Sequence, residues 1–351
     1  MSTNQANPTT ENALLASQSP QTVSGYIQGY LTRMRSGDIG SLPIILGLVV
    51  IAIIFQSLNE NYLTPRNFVN LIVQMAGITT IAIGVVYVLL LGEIDLSIGY
   101  VSAVSAVLMT LLLREPDGWP WYASMGAALI AAAIIGIVQG LIITKFQLPS
   151  FIVTLAGLLV WNGVVLILIG GGGTIIIQDK VVIGIANYFL PQIWGWIVVG
   201  VAVALFAASQ ITRNQSRRKR GISTRPFPVV IAQIVGLAVV SAIVVYVCNQ
   251  DRGVPLVGVI LVILLTGFTY LATRTPFGRY VYAVGGNAEA ARRAGINVDR
   301  IKILVFMISS VMAGFGGIVL ASRLRSVDTA AGGGNLLLNS IAAAVIGGTS
   351  L

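Results

Sequence analysis

Long apolar stretches dominate the chain from residue 41 onward, and short polar segments separate them. A helix needs about 20 mostly apolar residues to cross a bilayer, and most of these stretches approach or exceed that length. The pattern predicts an all-α protein, a polytopic transmembrane helical bundle of about nine full spans. The predicted spans are 41–58, 68–91, 99–113, 122–143, 151–169, 193–211, 229–247, 256–272 and 303–321. A tenth apolar stretch begins near Leu336, and we expect a truncated span there because the sequence stops at Leu351.

The first 40 residues differ from the rest of the chain. Ser, Thr, Asn, Gln and Pro dominate residues 1–22, a composition typical of disorder. A helical face of apolar residues follows, consisting of Val23, Tyr26, Ile27, Tyr30, Leu31 and Met34. It predicts either a short amphipathic helix on the cytoplasmic membrane surface or a helix packed under the bundle. The chain thus divides into a cytoplasmic tail, 1–40, and a transmembrane domain, 41–351.

Composition narrows the classes of function. Charged residues make up 9% of the 351 residues, against about 25% in soluble domains, and hydrophobic residues make up 56%. The lack of histidine and the single Cys248 exclude a zinc site, a Ser-His-Asp triad and an internal disulfide. None of the four lysines follows a glycine, so the chain carries no P-loop for ATP hydrolysis. We therefore expect no catalytic residue and no metal site.

Basic residues indicate the orientation. With a cytoplasmic N-terminus and alternating spans, fifteen of the 21 Lys and Arg residues fall on the cytoplasmic side and six on the other. Cytoplasmic loops of membrane proteins carry an excess of basic residues, so this orientation is favoured. The basic loop from Arg213 to Arg225 is predicted to face anionic membrane lipid and not nucleic acid.

Two carboxylates interrupt the apolar pattern in the stretch G-E-I-D-L-S-I-G, Gly92–Gly99. Glu93 and Asp95 are costly if they face lipid, so they must face protein, water or a ligand. Gly92 suits a helix C-cap, and Asp95 or Ser97 suits the N-cap of the next helix, which predicts a broken helix. Two interpretations stand: a tight capped turn at the membrane surface, or part of a gate or substrate path.

Small residues mark two further places. Ala128, Ala132, Gly136 and Gly140 recur every fourth residue in the fourth span, a spacing that lets another helix approach closely. This contact is either a moving one or, more simply, static packing. Residues 170–192 begin with four glycines and are predicted to form an external loop or a partly re-entrant element.

The polar segment 273–303 is long for a connection between packed spans. Asn287 suits an N-cap and Gly295 a helix end, so the segment predicts an Ala-rich helix of about two turns. Three charged residues lie on this helix, namely Glu289, Arg292 and Arg293. We expect Gly285 and Gly286 to supply a sharp turn before it. A short helix of small residues suits insertion into a partner's groove, and an inert surface hairpin is the alternative.

Four motifs together resemble one protein family. They are G-E-I-D-L-S-I-G (Gly92–Gly99), L-P-S-F-I-V-T-L-A-G (Leu148–Gly157), F-G-R-Y-V-Y-A-V-G-G-N-A-E-A-A-R-R-A-G-I-N-V (Phe277–Val298) and I-A-A-A-V-I-G-G-T-S-L (Ile341–Leu351). The chain resembles the permease subunit of bacterial ABC importers for monosaccharides, the branch of ribose, arabinose and xylose carriers. The second and third motifs look most like those of D-xylose permeases.

The resemblance implies a permease subunit of an ATP-driven importer that moves a monosaccharide, D-xylose by these motifs, across the inner membrane of a bacterium. It implies that ATP-binding cassette ATPase subunits dock inside and bind the ATP, so this chain is not an enzyme and holds no cofactor. It also implies a periplasmic or secreted sugar-binding protein outside and a second permease copy, as a homodimer. Such permeases usually continue for about two more spans, so residues 41–351 are expected to be a C-terminally incomplete permease domain.

The expected site residues follow from this mechanism. A path for a neutral sugar needs polar groups, and the candidates are Glu93, Asp95, Ser97 and Asn162, with Trp161 as a stacking surface. The resemblance assigns ATPase contact to the loop that matches Phe277–Val298. Its coupling residues are Phe277, Gly278, Arg279, Gly285, Gly286, Asn287, Glu289, Ala290, Ala291, Arg292 and Gly295. We expect valine at Gly285, Gly286 or Gly295 to leave folding intact and to abolish transport.

An ion-coupled secondary sugar carrier or a channel is the alternative. The carboxylates would then form a proton or cation site, and no ATPase would be needed. Sugar uptake that follows an ion gradient and survives ATP depletion would select this alternative. A membrane-embedded hydrolase would need a nucleophile with a base, and no lysine lies within a predicted span.

Overall fold

The structure is a computed structural model that describes residues 42–349 except 115, 117 and 221–225. The predicted tail, 1–40, and its amphipathic helix lie outside the described residues. The α-helices in chain order are α1 (Leu42–Leu58), α2 (Pro65–Leu90), α3 (Ile98–Leu112), α4 (Trp121–Lys145), α5 (Ser150–Ile169), α6 (Lys180–Asn187), α7 (Gln192–Lys219), α8 (Phe227–Asn249), α9 (Leu256–Arg274), α10 (Pro276–Gly286), α11 (Ala288–Arg293), α12 (Val298–Leu324) and α13 (Leu336–Ile346).

Short strands connect some of these helices. They are β1 (Thr174–Ile176), β2 (Phe189–Leu190), β3 (Val254–Pro255) and β4 (Ser326–Asp328). β1 pairs antiparallel with β4, with Ile175 opposite Val327, and β2 pairs antiparallel with β3. These ladders join loops to one another, and the described residues form no other strands.

Each predicted span coincides with a helix, and the tenth apolar stretch is helical as well. Seven of the described helices are long and apolar enough to cross a membrane, namely α2, α4, α5, α7, α8, α9 and α12. Three apolar helices are shorter: α1 has 17 residues, α3 has 15 and α13 has 11. The prediction of a polytopic helical membrane bundle is confirmed, while the number of full spans stays a prediction.

The chain forms two compact units. The smaller unit, within residues 42–53 and 191–253, contains α7 and α8, which pack on each other. Few side chains of these two helices are buried, and many of the exposed ones are apolar, which suits a lipid environment. The main unit, within residues 54–190 and 254–349, contains α2–α6, α9–α13 and the four strands, and with them Gly92–Gly99 and the polar segment 273–303. α1 has residues in both units.

The main unit packs around α12, which contacts α2, α3 and α4. Glycine makes this packing possible. A Cβ at Gly136 of α4 would lie 2.5 Å from the carbonyl oxygen of Phe306 on α12. A Cβ at Gly317 of α12 would overlap the carbonyl oxygen of Ser102 on α3. The absence of side chains at these positions therefore lets the helix backbones approach closely.

The small-residue stripe predicted in the fourth span lies on this interface. Ala128 and Ala132 are fully buried, and a Cβ at Gly140 would lie 2.8 Å from Cα of Ile303 on α12. The close helix contact is confirmed. Its movement during function stays a prediction.

Residues 170–192 contain a helix that the sequence interpretation missed, so they are not a loop throughout. Their placement as an external or partly re-entrant element stays a prediction. Asp179 caps α6 by accepting hydrogen bonds from the N–H groups of Val181 and Val182, both at 2.9 Å. Asn187 Nδ2 donates to the carbonyl oxygen of Ser322 at 2.7 Å. These bonds fix α6 on the C-terminal end of α12.

Candidate functional site

The stretch from Gly92 to Gly99 forms a break between α2 and α3. α2 ends at Leu90, Gly92 has φ +72°, and residues 93–97 are not helical before α3 begins at Ile98. Glycine adopts this left-handed conformation at little cost, which explains why α2 stops here. The prediction of a broken helix is confirmed.

Side chains from α5 satisfy the unwound backbone of this break. The hydroxyl of Ser150 accepts a hydrogen bond from the N–H of Ile94 at 3.2 Å, and the hydroxyl of Thr154 donates to the carbonyl oxygen of Ile94 at 3.3 Å. Unwound backbone inside a membrane protein needs such partners, because hydrocarbon offers none. The two hydroxyls therefore attach the break to α5.

Asp95 lies at the centre of a hydrogen-bonded group of side chains and is only 4% exposed. Its Oδ1 accepts hydrogen bonds from the backbone N–H of Ser97 at 3.0 Å and from the Ser97 hydroxyl at 2.7 Å. Its Oδ2 accepts from the hydroxyl of Ser309 on α12 at 3.2 Å. Gln139 of α4 donates through Nε2 to the Ser97 hydroxyl at 2.9 Å. We call Asp95, Ser97, Gln139 and Ser309 the Asp95 group.

The expected side-chain cap of α3 is wrong. Ser97 occupies the N-cap position, but its side chain makes no capping hydrogen bond. Its hydroxyl bonds to Asp95 and Gln139 instead, and the Asp95 carboxylate is used by Ser97 and Ser309. The side chains of Asp95 and Ser97 are therefore bonded to other side chains and not to the N–H groups at the start of α3.

Glu93 forms an ion pair with Lys302 on α12. The side chains of Glu93 and Lys302 are 17% and 23% exposed, so the carboxylate has a protein partner, as its cost in lipid requires. Ser309 lies farther along α12 than Lys302, by roughly 10 Å of helix. The chain therefore runs deeper into the bundle between Glu93 and Asp95.

Trp161 of α5 lies beside the Asp95 group. Its indole Nε1 is buried and has no hydrogen-bond partner among the described residues. A Cβ at Gly157 would lie 2.5 Å from Gln139 Nε2 and 3.5 Å from Trp161 Nε1, so this glycine lets the two side chains approach. Asn162 is half-buried on the same helix and forms no hydrogen bond with the Asp95 group among the residues described.

The structure thus brings Asp95, Ser97 and Trp161 together, whereas Glu93 pairs with Lys302 outside this group. The part of these four residues in a substrate path stays a prediction. Sequence reasoning missed the residues that hold them, which are Gln139, Ser150, Thr154, Lys302 and Ser309. Each of these polar residues lies in an apolar helix or at its start. A polar residue in that position is a signal that could have found them.

The polar segment 273–303 contains two helices. α10 was not predicted, and Thr275 begins it by accepting a hydrogen bond from the N–H of Gly278 at 3.2 Å. α11 begins as predicted, since Asn287 Oδ1 accepts from the N–H of Ala290 at 2.9 Å. Gly295 has φ +85° after the end of α11. The predicted N-cap and helix end are therefore confirmed.

Gly285 and Gly286 do not form the expected turn, because they are the last two residues of α10. The chain turns at Asn287, whose backbone is extended. A Cβ at Gly285 would overlap the carbonyl oxygen of Leu90, the last residue of α2. The expectation that valine at Gly285 leaves folding intact is therefore wrong. Gly286 has open space around it, and Gly295 has a φ that strains any side chain.

An apolar core fixes α10 and α11 on the main unit. Val281, Val284 and Ala291 are buried in it together with residues of α2, α4, α5 and α12. Phe277 stacks on Tyr87 of α2 with ring centroids 6.4 Å apart. Phe277, Gly278 and Ala291 thus face protein. The exposed members of the expected coupling set are Arg279, Gly285, Gly286, Asn287, Glu289, Ala290, Arg292 and Gly295.

A family model described as "Branched-chain amino acid transport system / permease component" matches residues 67–351. The chain belongs to this family. This permease is 34% identical over 329 residues to the xylose transport system permease protein of Escherichia coli, a match that covers 92% of this chain and 82% of the relative. With its long apolar helices, it is a multi-pass membrane protein.

Two further relatives agree with this assignment. The permease is 31% identical to the xylose transport system permease protein of Haemophilus influenzae over 320 residues, which covers 91% of this chain and 84% of the relative. It is 31% identical to the ribose import permease protein of Escherichia coli over 332 residues, with coverage of 94% and 83%. No solved structure matches the permease with significance. The resemblance to monosaccharide permeases is confirmed.

Proposed function

We propose that this permease is the membrane subunit of an ATP-driven importer that carries D-xylose across the cytoplasmic membrane of a bacterium. The names of its relatives support a pentose, and the higher identity to a xylose permease, 34% against 31% for a ribose permease, favours xylose. The structural observation that carries the proposal is α11. It is a short helix, mostly exposed, that packs on the core of the main unit through Ala291.

In this proposal ATP hydrolysis belongs to separate ATP-binding cassette subunits, which contact α11 and the exposed part of α10. A short exposed helix that packs on the core of the main unit suits insertion into a groove of such a partner. The exposed charges of α11 are already paired locally, Arg293 with Glu289 at 3.2 Å and Arg292 with Asp299 at 3.3 Å. The contact is therefore expected to depend on shape more than on free charge.

A sugar-binding protein docks on the outer side of the membrane, and a second copy of the permease completes the path. We place the path along α5, because few of its residues are buried in this chain and it carries Trp161 and Asn162. A buried indole N–H without a partner is suited to a sugar hydroxyl, since hydrogen bonding would recover the cost of its burial. The Asp95 group lies next to this helix, but its atoms already bond to one another.

The test is transport by the importer purified with its own partners and reconstituted into vesicles. Labelled D-xylose should accumulate only when ATP and the sugar-binding protein are supplied, and unlabelled D-xylose should compete better than D-ribose. The permease reconstituted alone should accumulate none. Uptake that survives ATP removal and follows a proton or sodium gradient would instead establish the ion-coupled carrier.

A further inference from the structure

The break between α2 and α3 follows directly on a contact with α10 and bonds to the interior of the main unit. Just before the break, the carbonyl oxygen of Leu90, the last residue of α2, lies directly beside Gly285 of α10, where a side chain would not fit. Further along, Glu93 pairs with Lys302 of α12. The backbone of Ile94 then bonds to α5.

These contacts form one continuous series from α10 to α5. A displacement of α10 acts directly on Leu90, because no side chain lies between the two backbones. Residues 91–93 are held to α2 by backbone hydrogen bonds, such as that from Gly92 N–H to the Leu89 carbonyl at 2.8 Å. Within residues 91–93, the side chain of Glu93 connects the break to α12 through its ion pair with Lys302.

We propose that the Glu93–Lys302 ion pair is a positioning contact. It holds the break on α12. A movement of α10 and α11 therefore displaces α5 and Trp161 and is not absorbed by a local change in residues 91–93. This assignment rests on the proposed function, because it needs a partner that moves α11. It gives Glu93 a role in coupling and not in contact with the sugar.

The burial of the pair fits this role. Glu93 and Lys302 are only 17% and 23% exposed, so the removal of one partner leaves the other charge mostly buried and unpaired, which lowers stability. The Asp95 group is buried more completely and is hydrogen-bonded throughout. Removal of one partner is therefore expected to lower stability while the Asp95 group stays in place, and to change how the two ends of the break move together.

The experiment measures sugar molecules transported per ATP hydrolysed by the reconstituted importer. Glu93→Gln and Lys302→Met should each lower this ratio by about fivefold or more, the lower range of coupling between two sites. In the complexes that assemble, the half-saturating sugar concentration should not change. The double variant Glu93→Lys with Lys302→Glu should recover at least about half of the ratio lost by the single variants, because it restores the pair in reverse.

Arg252→Met is the matched control, since it removes an ion pair between Arg252 and Asp251 of the smaller unit, and it should keep the ratio. Single variants with an unchanged ratio would overturn the proposal, as would a double variant that assembles without any recovery. If the single variants fail to assemble, the double variant decides. If the double variant fails to assemble too, the pair is structural and the proposal is wrong.

A raised half-saturating sugar concentration in the single variants would make Glu93 a sugar contact. Loss of ATP-driven uptake in the unmodified importer would overturn the proposed function instead.

Discussion

At the scale of single residues, Trp161 and Asp95 differ in what they can still bind. Asp95 has both carboxylate oxygens occupied by donors of the protein. The indole N–H of Trp161 is buried and has no partner among the described residues. A buried donor left unpaired costs about 1–3 kcal/mol, so a ligand hydroxyl at this place gains the full hydrogen bond. Trp161 therefore has a hydrogen-bond donor, its indole N–H, that a ligand can still use.

Trp161→Phe is expected to weaken sugar uptake without disturbing the fold. The substitution keeps an aromatic ring in the core but removes the N–H donor. The half-saturating D-xylose concentration should rise about 2- to 10-fold, as expected for one neutral hydrogen bond. Initial uptake rates in vesicles measure this value. Trp119→Phe, at an exposed tryptophan outside the α5 helix, is the control and should leave it unchanged.

An unchanged half-saturating concentration in Trp161→Phe would remove this donor from the sugar path. A lower maximal rate with the same half-saturating concentration would assign Trp161 to packing or movement. The two results separate binding from conformational change. Loss of a group that binds the sugar raises the half-saturating concentration, so it lowers uptake at low sugar concentration.

At the scale of elements, the contact between α10 and α2 depends on one glycine. A Cβ at Gly285 would overlap the carbonyl oxygen of Leu90, whereas a Cβ at the neighbouring Gly286 would meet nothing within 4 Å. The two residues lie in the same helix and differ in this respect, so they form a natural pair for comparison. The comparison isolates the contact from any effect on the helix itself.

Gly285→Ala is expected to destabilise the permease by about 1–3 kcal/mol, the usual cost of forcing an extra methyl into a packed contact. Thermal unfolding in detergent measures the change as a lower midpoint. Gly286→Ala should keep the midpoint or raise it slightly, because alanine favours helix more than glycine does. Equal midpoints for the two variants would contradict the close approach of α10 and α2.

The elements also show which features of the structure could be predicted from the sequence alone. Apolar length predicts the long helices, Gly92 predicts the break, and Asn287 predicts the start of α11, because each signal is local. The partner of Glu93 is Lys302, 209 residues away, and no local pattern connects them. α10 was missed because Gly285 and Gly286 suggested a turn, whereas close packing against Leu90 is the reason for glycine at 285. Long-range contacts thus set the details of the candidate site.

At the scale of the whole molecule, α12 connects the two ends of the main unit. It has 27 residues, about 40 Å of helix, which exceeds the ~30 Å of a bilayer's hydrocarbon core. α11 lies just before its first turn, and α6 is hydrogen-bonded to Ser322 near its last turn. We therefore expect α11 and α6 on opposite sides of a membrane. The excess of basic residues in the loops on the side of α11 predicts that this side is cytoplasmic.

Cysteine labelling tests this arrangement, and it needs only Cys248→Ala as a background because the chain has one cysteine. A membrane-impermeant maleimide added to intact spheroplasts should label Lys180→Cys on α6 and should not label Glu289→Cys on α11. Both positions are exposed, so permeabilised membranes should label both and provide the control. Labelling of both in intact spheroplasts would contradict a membrane-crossing α12. The reverse pattern would place α11 outside, where no cytoplasmic ATPase reaches it, and would leave the ion-coupled carrier as the better account of transport.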